Sequence, residues 1–132
     1  MAAGFDPWIS RAPAHIVACV SEDAYHQRYR EPDKVDEDGH EIDWPVPFWW
    51  IDAGAALMVV LLAAVDEGLA AGFLGADPDR LRRLLKIPAA MLPIGIVTVG
   101  HPAPDRRSSS LKRGWRPDTQ VIHWQQWAPP EA

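Results

Sequence analysis

Residues 44–77, WPVPFWWIDAGAALMVVLLAAVDEGLAAGFLGAD, constrain this chain more than any other stretch. Between Ile51 and Val65 the only charge is Asp52, and Ala, Leu, Met and Val fill nearly every other position. A helix here is apolar on all sides, which predicts burial. The uninterrupted apolar run, residues 53–65, falls short of the about 20 residues that cross a bilayer, and Asp66 and Glu67 follow at once. The expectation is therefore a core helix of about 25 Å, at 1.5 Å per residue. Pro45 and Pro47 push the residues before them out of the helical region, and Gly68 supplies a left-handed cap at the far end.

A chain of 132 residues suffices for one domain that buries roughly two-thirds of its unfolded surface. Its hydrophobic content of 48% and mean hydropathy of −0.16 are those of a soluble globular protein, and its seven Trp need cover. A net charge of −5 argues against nucleic acid as a partner, because the phosphate backbone rewards basic surfaces. Cys19 is the single cysteine, so no intramolecular disulfide forms and an oxidising compartment is not indicated. The first residues, MAAGFDPWISRAP, lack the pattern of a secretory signal, and cytoplasm is the expected location.

Residues 1–13 mix Gly4, Pro7 and Pro13 with Phe5, Trp8 and Ile9 and read as an irregular arm. AHIVACV, residues 14–20, is short and β-branched, which predicts a buried strand. His15 on it is read as a strand-edge histidine bonded to backbone, and Cys19 as a small core residue. Ser21 caps a helix whose first turn holds Glu22 and Asp23 and whose last turn holds Arg28 and Arg30, before Pro32 stops it. Tyr25 and Tyr29, four apart, share a face. Residues 31–43 carry seven carboxylates against one lysine, and their spacing matches no metal-binding loop. They are read as a solvated acidic loop, with no metal.

Beyond the central helix, Gly68, Gly72 and Gly75 let backbone turn sharply or approach a flat ligand, although a plain helix-to-strand connection explains them almost as well. Neither GxGxxG nor GxxxxGK[ST] is present. Asp77 and Pro78 start a helix with Leu81, Leu84 and Leu85 as its apolar stripe, and Pro88 ends it. PIGIVTV, residues 93–99, is a second strand. Five of the thirteen basic residues then crowd into one loop: Arg106, Arg107, Lys112, Arg113 and Arg116. Ser108, Ser109, Ser110 and Gly114 lie among them, so the loop is either an anion site or a solvated basic segment. TQVIHW, residues 119–124, is expected to be a strand or extended arm, and residues 128–132 to be loose.

Four blocks in this order, VPFWWIDAGAALMVVLLAAVDEGLAAGFLG, LRRLLKIP, PIGIVTVGHPAPDRRS and KRGWRPDTQVIHW, resemble the C-terminal two-thirds of a nitroreductase-family flavoprotein. The likeness runs from about Trp8 to Trp127, as one domain over residues 1–132 with an acidic loop at 31–43 and a basic loop and arm at 105–132. Nothing upstream of Trp8 matches the N-terminal Arg-Ser-x-Arg-like phosphate motif with which the family usually begins.

The resemblance implies an α+β fold: an antiparallel sheet flanked by helices around a buried central helix, in a homodimer with FMN at the subunit interface. F420 is an alternative cofactor. It maps the loop that approaches the reactive flavin edge onto Phe73, Leu74 and Gly75, and the phosphate-binding cations onto Lys112, Arg113 and Arg116. The activity implied is hydride transfer from NAD(P)H to a nitro, quinone or similar acceptor, with the chemistry on flavin N5 and no catalytic side chain. The other reading is a truncated, non-catalytic flavin- or deazaflavin-binding module, or a structural partner of a longer paralogue.

Overall fold

The computed structural model describes residues 9–104 and 109–127. It divides into two compact units, Met1–Pro102 and Ala103–Ala132. In chain order the first unit runs β1 (Ala14–Val20), α1 (Glu22–Tyr29), α2 (Phe48–Asp66), β2 (Ala70–Leu74), α3 (Pro78–Leu85) and β3 (Leu92–Gly100). The β-branched β3 takes the middle of a three-stranded sheet of order β1-β3-β2, with both ladders antiparallel. Val97 at its centre is fully buried. The buried Thr98 hydroxyl donates to the Gly72 carbonyl at 3.3 Å, a side-chain staple between β3 and β2. The register of β1 slips between Ala18, opposite Gly95, and Cys19, opposite Pro93, so Ile94 is the extra residue of a bulge. The expected α+β arrangement is therefore present.

Local chemistry sets the element ends. Ser21 Oγ accepts from the Ala24 amide at 3.2 Å and opens α1 as its N-cap. The predicted backbone bond of His15 is made by Nε2 with the Ile9 carbonyl at 3.1 Å. Helix α2 begins directly after Pro47 and closes in a Schellman motif. Gly68, at φ +71°, donates to the Val65 carbonyl, and Leu69 donates to that of Ala64. Asp77 accepts from the amides of Asp79 and Arg80 at 3.0 and 3.2 Å, with Pro78 at the first turn of α3. Arg82 then reaches across to the carbonyls of Ala89 and Met91 and ties α3 to the start of β3.

Two expectations about the central helix need correction. It lies between the expected bounds, Pro47 and Gly68, and its 19 residues exceed the apolar run 53–65 on which the case against a span rested, because the aromatic Phe48, Trp49 and Trp50 form its first turn. With a mean hydropathy of 2.0 it is long and apolar enough to cross a bilayer, so length does not exclude a span. Nor does the chain bury it: α2 packs on β1 and β2, and Ala64 is its one buried residue. A three-stranded sheet covers one side of a helix, and the other side stays open. There Ile51, Met58, Leu62 and Val65 are 53–65% exposed. At about 100° per residue these four positions fall within roughly 60° of one another on the helix. The stripe of α3 is likewise covered at Leu81 alone, with Leu84 and Leu85 exposed.

The second unit has 3-10 turns at Ser109–Arg113 and Asp118–Gln120, and of the two expectations for residues 119–124, a strand or an extended arm, no strand is present among the described residues. No β3-like neighbour pairs with that segment among the described residues, and alternation alone does not hold a strand. Trp115, Trp124 and Trp127 are largely exposed, and the His123 and Trp127 rings lie 4.1 Å apart between centroids.

Candidate flavin-facing segment

The segment that leaves β2 has few constraints on its outer side. After the Schellman turn, Leu69 leads into β2, where Ala70 pairs with Gly100 and Leu74 with Ile96, and there the ladder stops. Gly75 and Ala76 then cross to the Asp77 cap of α3. A Cβ built on Gly75 would meet nothing within 4 Å, and its φ is not in the left-handed region. Because β2 is an edge strand, part of its backbone hydrogen-bonding capacity faces away from the sheet. Backbone amides at such an edge can approach a planar, hydrogen-bonding ligand without displacing a side chain. The resemblance implied a loop over residues 73–75. Instead Phe73 and Leu74 end a strand, because pairing with β3 overrides the weak strand propensity of AAGFL.

The expected phosphate cations lie in the second unit. Lys112 and Arg113 close the 3-10 turn Ser109–Arg113, and Arg116 follows Gly114, whose φ of +71° reverses the chain. All three are exposed, and none forms an ion pair among the described residues. Arg106, Arg107 and Ser108 lie outside the described residues. The structure thus gathers Phe73, Leu74 and Gly75 into one strand exit and Lys112, Arg113 and Arg116 into one short basic segment, each within its own unit.

Sequence reasoning missed a polar knot that folds the acidic loop onto α1. Glu41, with its side chain 15% exposed, accepts from His26 Nδ1, from Trp44 Nε1 at 3.0 Å and from Arg30 Nε at 2.8 Å. The His26 bond, followed by that from Trp44, holds the Glu41 carboxyl down at about 2, and the same Glu41 contact raises His26. Arg28 clasps Asp33 through two bonds of 2.9 and 2.8 Å, which lowers Asp33 to about 2. Tyr25, Tyr29, Trp44 and Phe48 pack edge and face around the knot. Glu31, Asp33 and Glu41 are therefore ion-paired, while most of the loop remains exposed as expected. Among the described residues no three His, Cys, Asp or Glu side chains converge as metal ligands. The spacing of Arg28 to Asp33 and of Arg30 to Glu41 was the available signal, but it crosses a turn whose geometry composition does not fix.

A cleft of about 230 Å³ opens where the starts of α1 and α2 meet the approach to β3, and Trp49, Trp50, Glu22 and Asp23 line it. Its carboxylates are accounted for locally. Both sit in the first turn of α1, where the helix dipole favours them, and Glu22 lies 3.7 Å from His26.

The profile of the nitroreductase family matches residues 1–101. Over 131 residues the chain is 30% identical to an FMN reductase (NAD(P)H) of Bacillus subtilis strain 168, covering 92% of this chain and 48% of that protein. The NfrA1 nitroreductase structure from B. subtilis superposes with a TM-score of 0.66 at 23% identity, over 96% of this chain and 51% of that one. A nitroreductase-family structure from Clostridium difficile gives 0.61 at 22% identity, over 90% and 63%. Those two likenesses bear on the fold. The chain spans about half the length of the curated relatives it matches. The flavin named among these relatives is FMN, and none of their names gives support to F420.

Proposed function

The chain belongs to the nitroreductase family, and from that premise we infer that it is an FMN-dependent oxidoreductase moving hydride from NAD(P)H to a nitro, quinone or similar small acceptor. The observation that carries this reading is the exit of β2: an edge strand that ends beside Gly75, where a Cβ would meet nothing within 4 Å. FMN, when bound, supplies the hydride chemistry, and the chain supplies binding and orientation. In the first unit the backbone of Leu74 and Gly75 would orient the ring, and in the second unit Lys112, Arg113 and Arg116 would supply charge-assisted bonds to the phosphate. The three cations fit that task because they are exposed and carry no competing carboxylate among the described residues.

The reading includes a homodimer in the cytoplasm. Its support is the open stripe Ile51, Met58, Leu62 and Val65, which is too apolar to face water along a whole helix. A bilayer is the poorer cover for that stripe. Helix α2 packs on β1 and β2, both edge strands, and unpaired strand edges are not tolerated in hydrocarbon. The test is to titrate FMN into flavin-free protein and then supply NADH or NADPH with a quinone. Saturable binding and acceptor-dependent NAD(P)H oxidation are expected. Binding without oxidation would favour a flavin-binding module, and no binding would reject the reading.

A further inference from the structure

A residue of β3 that belongs to none of the groups above sits at the point where β2 turns away. The ladder pairs Phe73 with Val97 and Leu74 with Ile96, so the next rung would set Gly75 opposite Gly95. That rung is not made. On its other side Gly95 pairs with Ala18 immediately before the bulge at Ile94, and bulges bend a strand and redirect what lies beside it.

The two facing glycines differ in kind. Gly75 has open space where a Cβ would go, whereas a Cβ on Gly95 would lie 2.5 Å from Phe73 Cζ and 2.7 Å from the Leu74 carbonyl oxygen. Both distances are well inside van der Waals contact. Gly95 also holds φ +157°, which L side chains rarely adopt. The Phe73 ring, which shares a sheet face with Val97 and so with Gly95, therefore lies in the space that any other residue at position 95 would occupy.

We propose that Gly95 is a positioning residue for the flavin-facing segment: its missing side chain seats the Phe73 ring and the Leu74 carbonyl, and this seat sets the direction in which residues 74–76 leave the sheet. The role toward flavin rests on the function inferred above. The seat itself does not. Gly95 touches neither ring nor phosphate in this account and acts through Phe73 and Leu74.

Hydrogen exchange on the flavin-free full chain, with FMN titration of the same samples, separates the two. Gly95→Ala is expected to speed exchange of the amides of residues 74–76 at least tenfold while amides of β1 and the far end of β3 keep their protection. FMN affinity should fall at least about tenfold, with the melting temperature changing far less than a loss of the whole sheet would require. Phe73→Leu empties the seat without crowding it and gives the same local pattern at smaller size, which covers the case in which Gly95→Ala does not fold. Uniform exchange across the sheet in the variants, or unchanged exchange at 74–76, overturns the seat. If the unsubstituted chain binds no FMN, the functional reading falls and the exchange pattern still decides the seat. If it binds FMN and the variants bind equally well, the reading stands and the positioning role is overturned.

Discussion

At Gly75 a side chain would project into open space, so substitution there separates folding from binding. Gly75→Val is expected to leave the urea midpoint nearly unchanged while weakening FMN binding strongly, because the new branch would stand where the ring edge is proposed to approach. Parallel losses in both titrations would reduce Gly75 to a connector. Arg113 and Arg116 give the complementary case. A charge-assisted bond to a partly buried anion is worth about 1.5–3 kcal/mol, so losing one weakens binding roughly 10- to 150-fold. Arg113→Ala should lose FMN in that range and riboflavin, which has no phosphate, hardly at all; equal losses would make the basic segment a solvated loop. Single residues were the most legible level of this sequence where their chemistry is local. Ser21, Gly68 and Asp77 act as caps within a turn of their own position, and His15 finds the backbone bond expected of it. Gly95 was not legible, because its importance comes from Phe73, 22 positions earlier in the chain, and neighbours of that kind are set by register.

Among the elements, the acidic loop carries a pH prediction. Glu41 is depressed to about 2 in the fold, so its contribution is present above the ordinary value of 4.5 and lost as pH falls toward 2. His26 is raised above 6.5, so its contribution is complete below 6.5 and is lost as pH rises through the raised value. The knot is expected to stabilise most between pH 4.5 and 6.5. The stability difference between the unsubstituted chain and Glu41→Gln, followed by denaturant midpoint against pH, should peak in that window; a difference flat from pH 3 to 9 would contradict it, on the order of a two-unit margin either side. Strands β1 and β3 were legible from their β-branched runs, and α2 from its apolar one. Strand β2 was not, since AAGFL is a strand by pairing rather than by propensity. Over residues 119–124 the strand alternative fails in the opposite sense, with strand-like residues and no strand to pair with among the described residues.

At the scale of the whole molecule, the all-round apolar character of α2 predicted burial, and one chain delivers it on the sheet side only. That remainder is the physical case for a second copy. Leu62→Glu places a charge in the middle of the open stripe and is expected to dissociate the proposed dimer at micromolar concentration while leaving the sheet folded, as light scattering and circular dichroism would report. A dimer unaffected by it would put the interface elsewhere. The claim that unites the fold, the open stripe and the β2 exit is that flavin is held by a dimer of this chain. Sedimentation velocity of the FMN-loaded protein in detergent-free buffer, recorded in both the protein and the visible flavin band, tests it in one run. A single dimeric boundary that carries flavin at one FMN per chain is expected; a monomeric boundary with the flavin left behind as a slow, free species would rule out a flavin-holding dimer.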